Sequence, residues 1–288
     1  MTQTGHPRTE LAHIDADDVA QIARLLREHT GIKVLPAQAS MLQSRLGRRL
    51  RGLGMKQFHD YVAYVTSRQG EGELREMISA LTTNVTNFFR EKHHFDQLSA
   101  EVLPPLIERA RQGARIRLWS AACSSGQEPY SMAMCLLDLL PDAKSLDIRV
   151  LGTDIDVQML QIAREGIYSA EHIENMSPEM RNRYFQRRPD GFHISTALRD
   201  IVTFRELNLH QEWPMRGRFD AIMCRNVAIY FDLEAQGRLW RRLERALAPE
   251  GWLFLGHSER IPSEIPTALR SAGVTAYHLP GASQTRSL

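Results

Sequence analysis

Beyond about residue 110 the chain alternates short apolar runs with amphipathic stretches of helical period, and no other feature restricts its fold so much. The runs span 116–120, 148–155, 201–207, 219–224, 252–256 and 275–279, and helices are predicted over 128–140, 157–165 and 233–247. A β-α-β-α order needs crossover connections, so the strands run parallel and helices cover the faces. The expected class is α/β, with a doubly wound, mostly parallel sheet. Such sheets take ligands beyond the carboxyl ends of their strands, where the strand order reverses.

The segment ahead of this region reads differently. From Ile14 to about Leu81 every periodic stretch is helical, and no run looks like a strand. Asp15 or Asp17 can cap a first helix that carries Val19, Ile22, Leu25 and Leu26 and ends at Gly31. A second is predicted over 36–51, with Leu42, Leu46, Leu50 and Leu53 as its apolar stripe and Gly52 and Gly54 as its stop. Third and fourth helices fit 56–67 and 71–81. The divisions expected are a small all-helical domain over 1–81, a linker over 82–95 and the α/β domain over 96–288. The first dozen and the last eight residues read as frayed ends.

Composition excludes several classes. No run approaches the roughly 20 apolar residues that span a bilayer, since the longest candidate, 130–140, contains Asp138. The start, MTQTGHPRTE, has neither a basic nor an apolar signal region, so cytoplasm is expected. Cys123, Cys135 and Cys224 are odd in number, far apart and set among apolar neighbours, which disfavours a disulfide framework or a thiolate metal site. His93 and His94 are adjacent rather than four apart, so packing or capping is favoured over a metal, and no metal is expected.

The first strand runs into Ala121-Ala122-Cys123-Ser124-Ser125-Gly126-Gln127-Glu128-Pro129 and then a helix. Small residues let a ligand approach the backbone, and Pro129 suits a first helical turn. The glycine fingerprint of dinucleotide sites is missing, and Glu128 lies where a pyrophosphate would rest on the helix N-terminus. A cofactor with no phosphate and a cationic ammonium, S-adenosylmethionine, fits better. The second strand ends in Thr153-Asp154-Ile155-Asp156, and an acid there is the usual partner of ribose hydroxyls. Asp154 is assigned to the ribose and Asp156 to capping the next helix.

Five segments together carry a family resemblance. They are Thr82-Thr83-Asn84-Val85-Thr86-Asn87-Phe88-Phe89-Arg90-Glu91, the stretch from Trp119 to Tyr130, Asp154-Ile155-Asp156, Cys224-Arg225-Asn226-Val227-Ala228-Ile229-Tyr230-Phe231, and Gly256-His257-Ser258-Glu259. In this order they resemble the chemotaxis receptor methyltransferases, the CheR-type enzymes, over nearly the whole chain. The resemblance implies a Rossmann-like methyltransferase domain that transfers methyl from S-adenosylmethionine to receptor glutamates, releasing S-adenosylhomocysteine. It places Asn84, Thr86 and Arg90 along the cofactor and substrate side, Glu128 at the methionine part, Asp154 at the ribose, and Asn208 and Leu209 beside the adenine. Arg225 and Asn226 would close the pocket, and Arg90 and Tyr230 would point to the methyl group. For Asn84 and Thr86 the alternative is helix capping; for Tyr230 it is a buried core hydroxyl.

The partner implied is the cytoplasmic domain of a methyl-accepting chemotaxis receptor, with no nucleic acid and no membrane insertion. Arg45, Arg48 and Arg49 share one face of the second helix, opposite the leucine stripe, and are assigned to docking on acidic receptor helices. Some family members grip a receptor tail with an antiparallel β insert. Here an insert is recognisable at about 167–203, with a helix near 178–186, a turn at Pro189-Asp190-Gly191 and a strand at 192–195. Its connection looks shorter than in tail-binding members, so no tail peptide is expected to bind. Two other readings stay open: an RNA methyltransferase, because the second helix is basic, and a non-catalytic signalling adaptor.

Overall fold

The structure, a computed structural model, describes residues 13–281. The stretches read as frayed ends, Gly281 apart, lie outside the described residues. Backbone packing separates the chain after Thr83 into two compact units.

The first unit holds α1 (Ala16–Thr30), α2 (Ala39–Gly52), α3 (Phe58–Thr66) and α4 (Glu71–Leu81). Asp15 caps α1 by accepting from the Asp18 N–H, and Gly31 ends it in the left-handed conformation at φ 76. Ile22, Leu42, Leu46, Tyr61 and Met77 are fully buried, each apolar side chain contributing roughly 1.5–3 kcal/mol. Two expectations shift. Pro36–Gln38 forms a 3₁₀ turn, and α2 begins only at Ala39. Leu53 is 38% exposed, so the leucine stripe stops at Leu50, where the helix runs out.

The second unit opens with α5 (Lys92–Gln97), a π-helical turn at Leu98–Val102 and α6 (Leu103–Arg111). The sequence pattern predicts none of these three, and α5 begins inside the stretch read as a linker over 82–95. Then follow β1 (Ile116–Ala121), α7 (Gln127–Leu139), β2 (Ile148–Asp154), α8 (Val157–Glu165), β3 (Ile167–Tyr168), α9 (Ala170–Ile173), α10 (Pro178–Tyr184), β4 (Phe185–Arg188), β5 (Gly191–Ile194), α11 (Thr196–Ile201), β6 (Val202–Glu206), β7 (Phe219–Cys224), α12 (Leu233–Ala246), β8 (Leu247–Leu255), β9 (Arg270–Ser271) and β10 (Ala276–His278).

The main sheet has the order β6-β2-β1-β7-β8-β10-β9. β6, β2, β1, β7 and β8 are parallel, while β10 is antiparallel to both β8 and β9, so the sheet is mixed at one edge. Successive strands run outward from β1 through β2 to β6, then cross to β7 on the other side. The order therefore reverses between β1 and β7, and a ligand crevice belongs outside their carboxyl ends. Both faces are packed. Leu118 and Met223 enter one apolar layer, and Trp119, Ile222 and Cys224 enter the other. A separate antiparallel sheet, β3-β5-β4, forms the insert, and its tight turn at Pro189-Asp190 leads into Gly191 at φ 141.

Candidate active site

Three side-by-side strand ends build the site: β1 delivers the small-residue loop, β2 delivers Asp154, and β7 delivers Arg225 and Asn226. The loop is bent hard. Ala122 at φ 61, Ser124 at φ 49 and Gly126 at φ 93 all take positive values within five residues. At Gly126 a Cβ would stand 2.8 Å from the Ala163 Cβ and 3.1 Å from the Tyr168 hydroxyl, so no other residue fits. Asp154 holds the bend. One carboxylate oxygen accepts the Ser124 N–H at 2.7 Å and the other the Asp156 N–H at 2.8 Å. Burial outweighs those donors and pushes its carboxyl up to about 6. Asp156 caps α8 through the Gln158 and Met159 N–H groups, as the spacing predicts.

Arg225 is the electrostatic centre. Its guanidinium, 1% exposed, meets Glu128 Oε2 at 2.9 Å and Glu91 Oε2 at 3.1 Å, and it donates to the carbonyl of Arg90. Glu128 also accepts from Ser120 Oγ at 2.7 Å, while Glu91 accepts from Asn226 Nδ2 at 3.2 Å and faces His257 Nδ1 at 3.1 Å. The two acids diverge. Burial pushes the Glu128 carboxyl above the usual carboxylate range despite Arg225. For Glu91 burial acts upward too, but the charge of Arg225, with the hydrogen bonds from His257 and Asn226, prevails and holds it down to about 2. His94, fully buried, is pushed down to about 4 by burial and by Arg225, and rests against Val274 and Thr275. Glu91, His93 and His94 offer donor atoms within 4.8 Å of one another, yet the guanidinium on the same Glu91 carboxylate opposes a metal cation there.

Asn84 does not cap a helix: its side chain donates to Asp156 at 2.8 Å, and its carbonyl accepts from Ser124 Oγ at 3.0 Å. Thr86 is half-buried in the same segment, and Arg90 folds back on it, donating to the Val85 carbonyl at 2.8 Å. Asn208 accepts from the His210 N–H at 2.9 Å, and Leu209 is buried, its carbonyl held by Arg242 at 3.0 Å. Tyr230 is half-exposed, on a 3₁₀ turn at Ala228–Tyr230, and is not a core hydroxyl. On α2 the three arginines differ. Arg45 donates to the Leu81 and Thr82 carbonyls at 2.9 and 2.7 Å, and Arg49 grips Glu73 at 2.9 and 2.6 Å, whereas Arg48 is exposed.

Sequence reasoning gives no role to Glu91 and Glu259, although both stand inside the family motifs, and none to Tyr168. Tyr168, from the insert strand β3, donates to the Ser125 carbonyl at 2.7 Å and packs edge-on against Phe88 at 5.0 Å. An isolated tyrosine among insert residues gives no signal of that contact.

Glu91, Glu128, Asp154 and Asp156 outnumber Arg90 and Arg225 around the loop, a set of acceptors suited to a cationic ligand carrying a ribose. Fold and site define a methyltransferase domain of the S-adenosylmethionine-dependent class. Residues 84–278 match the family described as CheR methyltransferase, SAM binding domain, and residues 17–82 match CheR methyltransferase, all-alpha domain. The chain is 43% identical over 259 residues to a probable chemotaxis protein methyltransferase of Rhizobium etli, covering 88% of this chain and 96% of that one. It is 39% identical over 272 residues to chemotaxis protein methyltransferase 2 of Pseudomonas aeruginosa, covering 92% and 94%. To the chemotaxis protein methyltransferase of Escherichia coli it is 41% identical over 266 residues, covering 90% and 89%. The chain belongs to the CheR family and is an S-adenosylmethionine-dependent methyltransferase.

Proposed function

We propose that this enzyme esterifies glutamate side chains on the cytoplasmic domain of methyl-accepting chemotaxis receptors, working in the cytoplasm; among the described residues no helix is long and apolar enough to cross a membrane. The observation that carries the reading is that both units, helical and α/β, match one family in one chain. In this reading Glu128 takes the methionine part of the cofactor, Asp154 the ribose, and Asn208 and Leu209 flank the adenine. Asn84 and Thr86 line the pocket, and Arg225 with Asn226 closes it.

When bound, S-adenosylmethionine supplies a methyl group on a sulfonium, an electrophile that a carboxylate oxygen can take. A glutamate with an ordinary pKa of about 4.3 is ionised at neutral pH, so the enzyme needs no general base. Arg90 and Tyr230 orient that carboxylate. A tight clamp on its charge would favour the reactants over the charge-reduced transition state, so alignment, not anion stabilisation, is their task. Alignment can lower a barrier by roughly 7–11 kcal/mol. None of the cysteines serves as a nucleophile: burial raises Cys123 and Cys224 well above the usual thiol range, and Cys135 to about 11.

The basic helix α2 docks on acidic receptor helices. Arg48 faces outward, while Arg45 and Arg49 add charge from positions tied to α4. In this reading the connection within the insert is too short to grip a peptide, so docking uses the helical unit and the active site, and no receptor tail peptide binds. Incubation with methyl-labelled S-adenosylmethionine and receptor cytoplasmic domains should leave base-labile label on glutamate peptides. Label confined to RNA, or none on any receptor, would refute the reading.

A further inference from the structure

We infer that Glu259 is a positioning residue for the acceptor side of the active site, acting through the backbone of the loop that carries Tyr230. The inference rests on the function proposed above.

Glu259 is 4% exposed and sits just after β8, in a turn closed by its own N–H on the Gly256 carbonyl at 2.8 Å. Its carboxylate is held by backbone amides. Oε2 accepts from Asn226 at 2.9 Å and from Gly256 at 2.6 Å. Oε1 accepts from Val227 at 2.9 Å, Ala228 at 2.7 Å and, more weakly, Ile229 at 3.3 Å. Four successive N–H groups of the loop after β7 thus converge on one carboxylate 30 to 33 residues away, in the manner of an anion-binding nest. A carboxylate is suited to this because it is acceptor-only, with about four lone-pair sites. The packing is tight. A Cβ at Gly256 would stand 2.5 Å from Asn226 Nδ2, 2.7 Å from the Asn226 N and 2.8 Å from Glu259 Oε2.

The clasped segment is strained at its start, with Asn226 at φ 58. Beyond the nest, the Tyr230 N–H donates to the Val227 carbonyl at 3.2 Å, and Gln236 Nε2 donates to the Ala228 and Phe231 carbonyls at 3.0 and 3.1 Å. Glu259 therefore fixes one side of the turn and Gln236 the other, so the backbone from which the half-exposed Tyr230 side chain projects is held on both sides. Arg225 and Asn226 are reached by the same clasp, but Arg225 keeps its own anchors on Glu91 and Glu128. Losing the Glu259 charge should accordingly disturb Tyr230 more than the cofactor pocket, whose loop is held by Asp154 and in which Asn226 keeps its own side-chain bond to Glu91.

Glu259→Gln removes the charge and replaces one acceptor oxygen with donors that face N–H groups. The expected result is a fall in kcat on the order of 100-fold, as a displacement of about 1 Å can cause, with the calorimetric Kd for S-adenosylmethionine within about threefold of the parent. In a Tyr230→Ala background the same change should cost less than about tenfold, because the two act as one unit. An unchanged kcat, a Kd that weakens in parallel with kcat, or full additivity with Tyr230→Ala would each overturn the inference. If Glu259→Gln does not fold, Glu259→Asp, which keeps the charge but shortens the reach, carries the same comparison. The parent enzyme is assayed first on receptor: absence of glutamate ester there refutes the function, whereas an intact parent with an indifferent Glu259 variant refutes only this role.

Discussion

In the helical unit Arg49 meets Glu73 in a two-pronged pair, with Glu76 at 3.0 Å and Tyr61 completing the set at 2.8 Å from Glu73. In the methyltransferase unit Arg225 is shared between Glu128 and Glu91, and its Nε, Glu91 Oε2 and His94 Nδ1 are left without a hydrogen bond. Backbone strain divides the same way. Among the described residues all seven non-glycine positions with positive φ lie beyond Thr83, and Phe89, Glu91, Ala122, Ser124 and Asn226 border the site. In the helical unit Gly31 and Gly54 take the left-handed positions. The helical unit satisfies local rules, whereas the methyltransferase unit holds groups in costly states that the surrounding sheet enforces.

The largest test removes the centre of the unsatisfied set. Arg225→Ala leaves Glu91 and Glu128 facing each other in a buried place, and should cost about 3–5 kcal/mol in urea unfolding. A loss under about 1 kcal/mol would mean that water already reaches these acids and that the contrast with Arg49 is illusory.

Asp154→Ala should weaken S-adenosylmethionine binding by about one to two decades, the worth of a charge-assisted hydrogen bond of roughly 1.5–3 kcal/mol. Its pH dependence follows from the folded value of about 6. Because burial raises the acid, its carboxylate is mostly ionised only above that pH, and protonation below it removes acceptor capacity from the cofactor site. Affinity should drop as pH falls through about 6, and the step should vanish in Asp154→Asn. Calorimetry at several pH values with no step in the parent would remove Asp154 from the ribose.

Glu73→Ala probes the satisfied pair. It strands the Tyr61 hydroxyl and leaves Arg49 with Glu76 alone, and should destabilise the helical unit by about 1–3 kcal/mol while cofactor affinity stays as in the parent. A matching loss of affinity would show that the two units do not divide their tasks as proposed.

The smallest effect is expected of Tyr168→Phe, which deletes the bond to the Ser125 carbonyl and keeps the ring packed on Phe88. About 0.5–1.5 kcal/mol, or a few-fold in cofactor Kd, is the expected cost. No change in Kd with an equal loss of thermal stability would make the insert a brace for the fold alone.

Elements governed by neighbours along the chain are legible in the sequence alone. Asp15 and Gly31 mark the two ends of α1, α8 occupies 157–165 as its period predicts, and Asp156 caps it. The strand and helix alternation likewise determines the α/β class, because a 2-to-3.6 change of period is written in consecutive residues. Other features are decided only by the tertiary structure. β8 begins at Leu247 rather than near Trp252, since Phe219 on β7 supplies its first partner. The shared face of Arg45, Arg48 and Arg49 is split because α4 brings Glu73 and its terminal carbonyls beneath two of them. The partners of Glu91 and Glu259 lie 135 and 30 to 33 residues away, at Asn226 and along the loop that follows it. A carboxylate's role depends on which donors surround it, and such donors are assembled by the sheet's crossovers rather than by any local period.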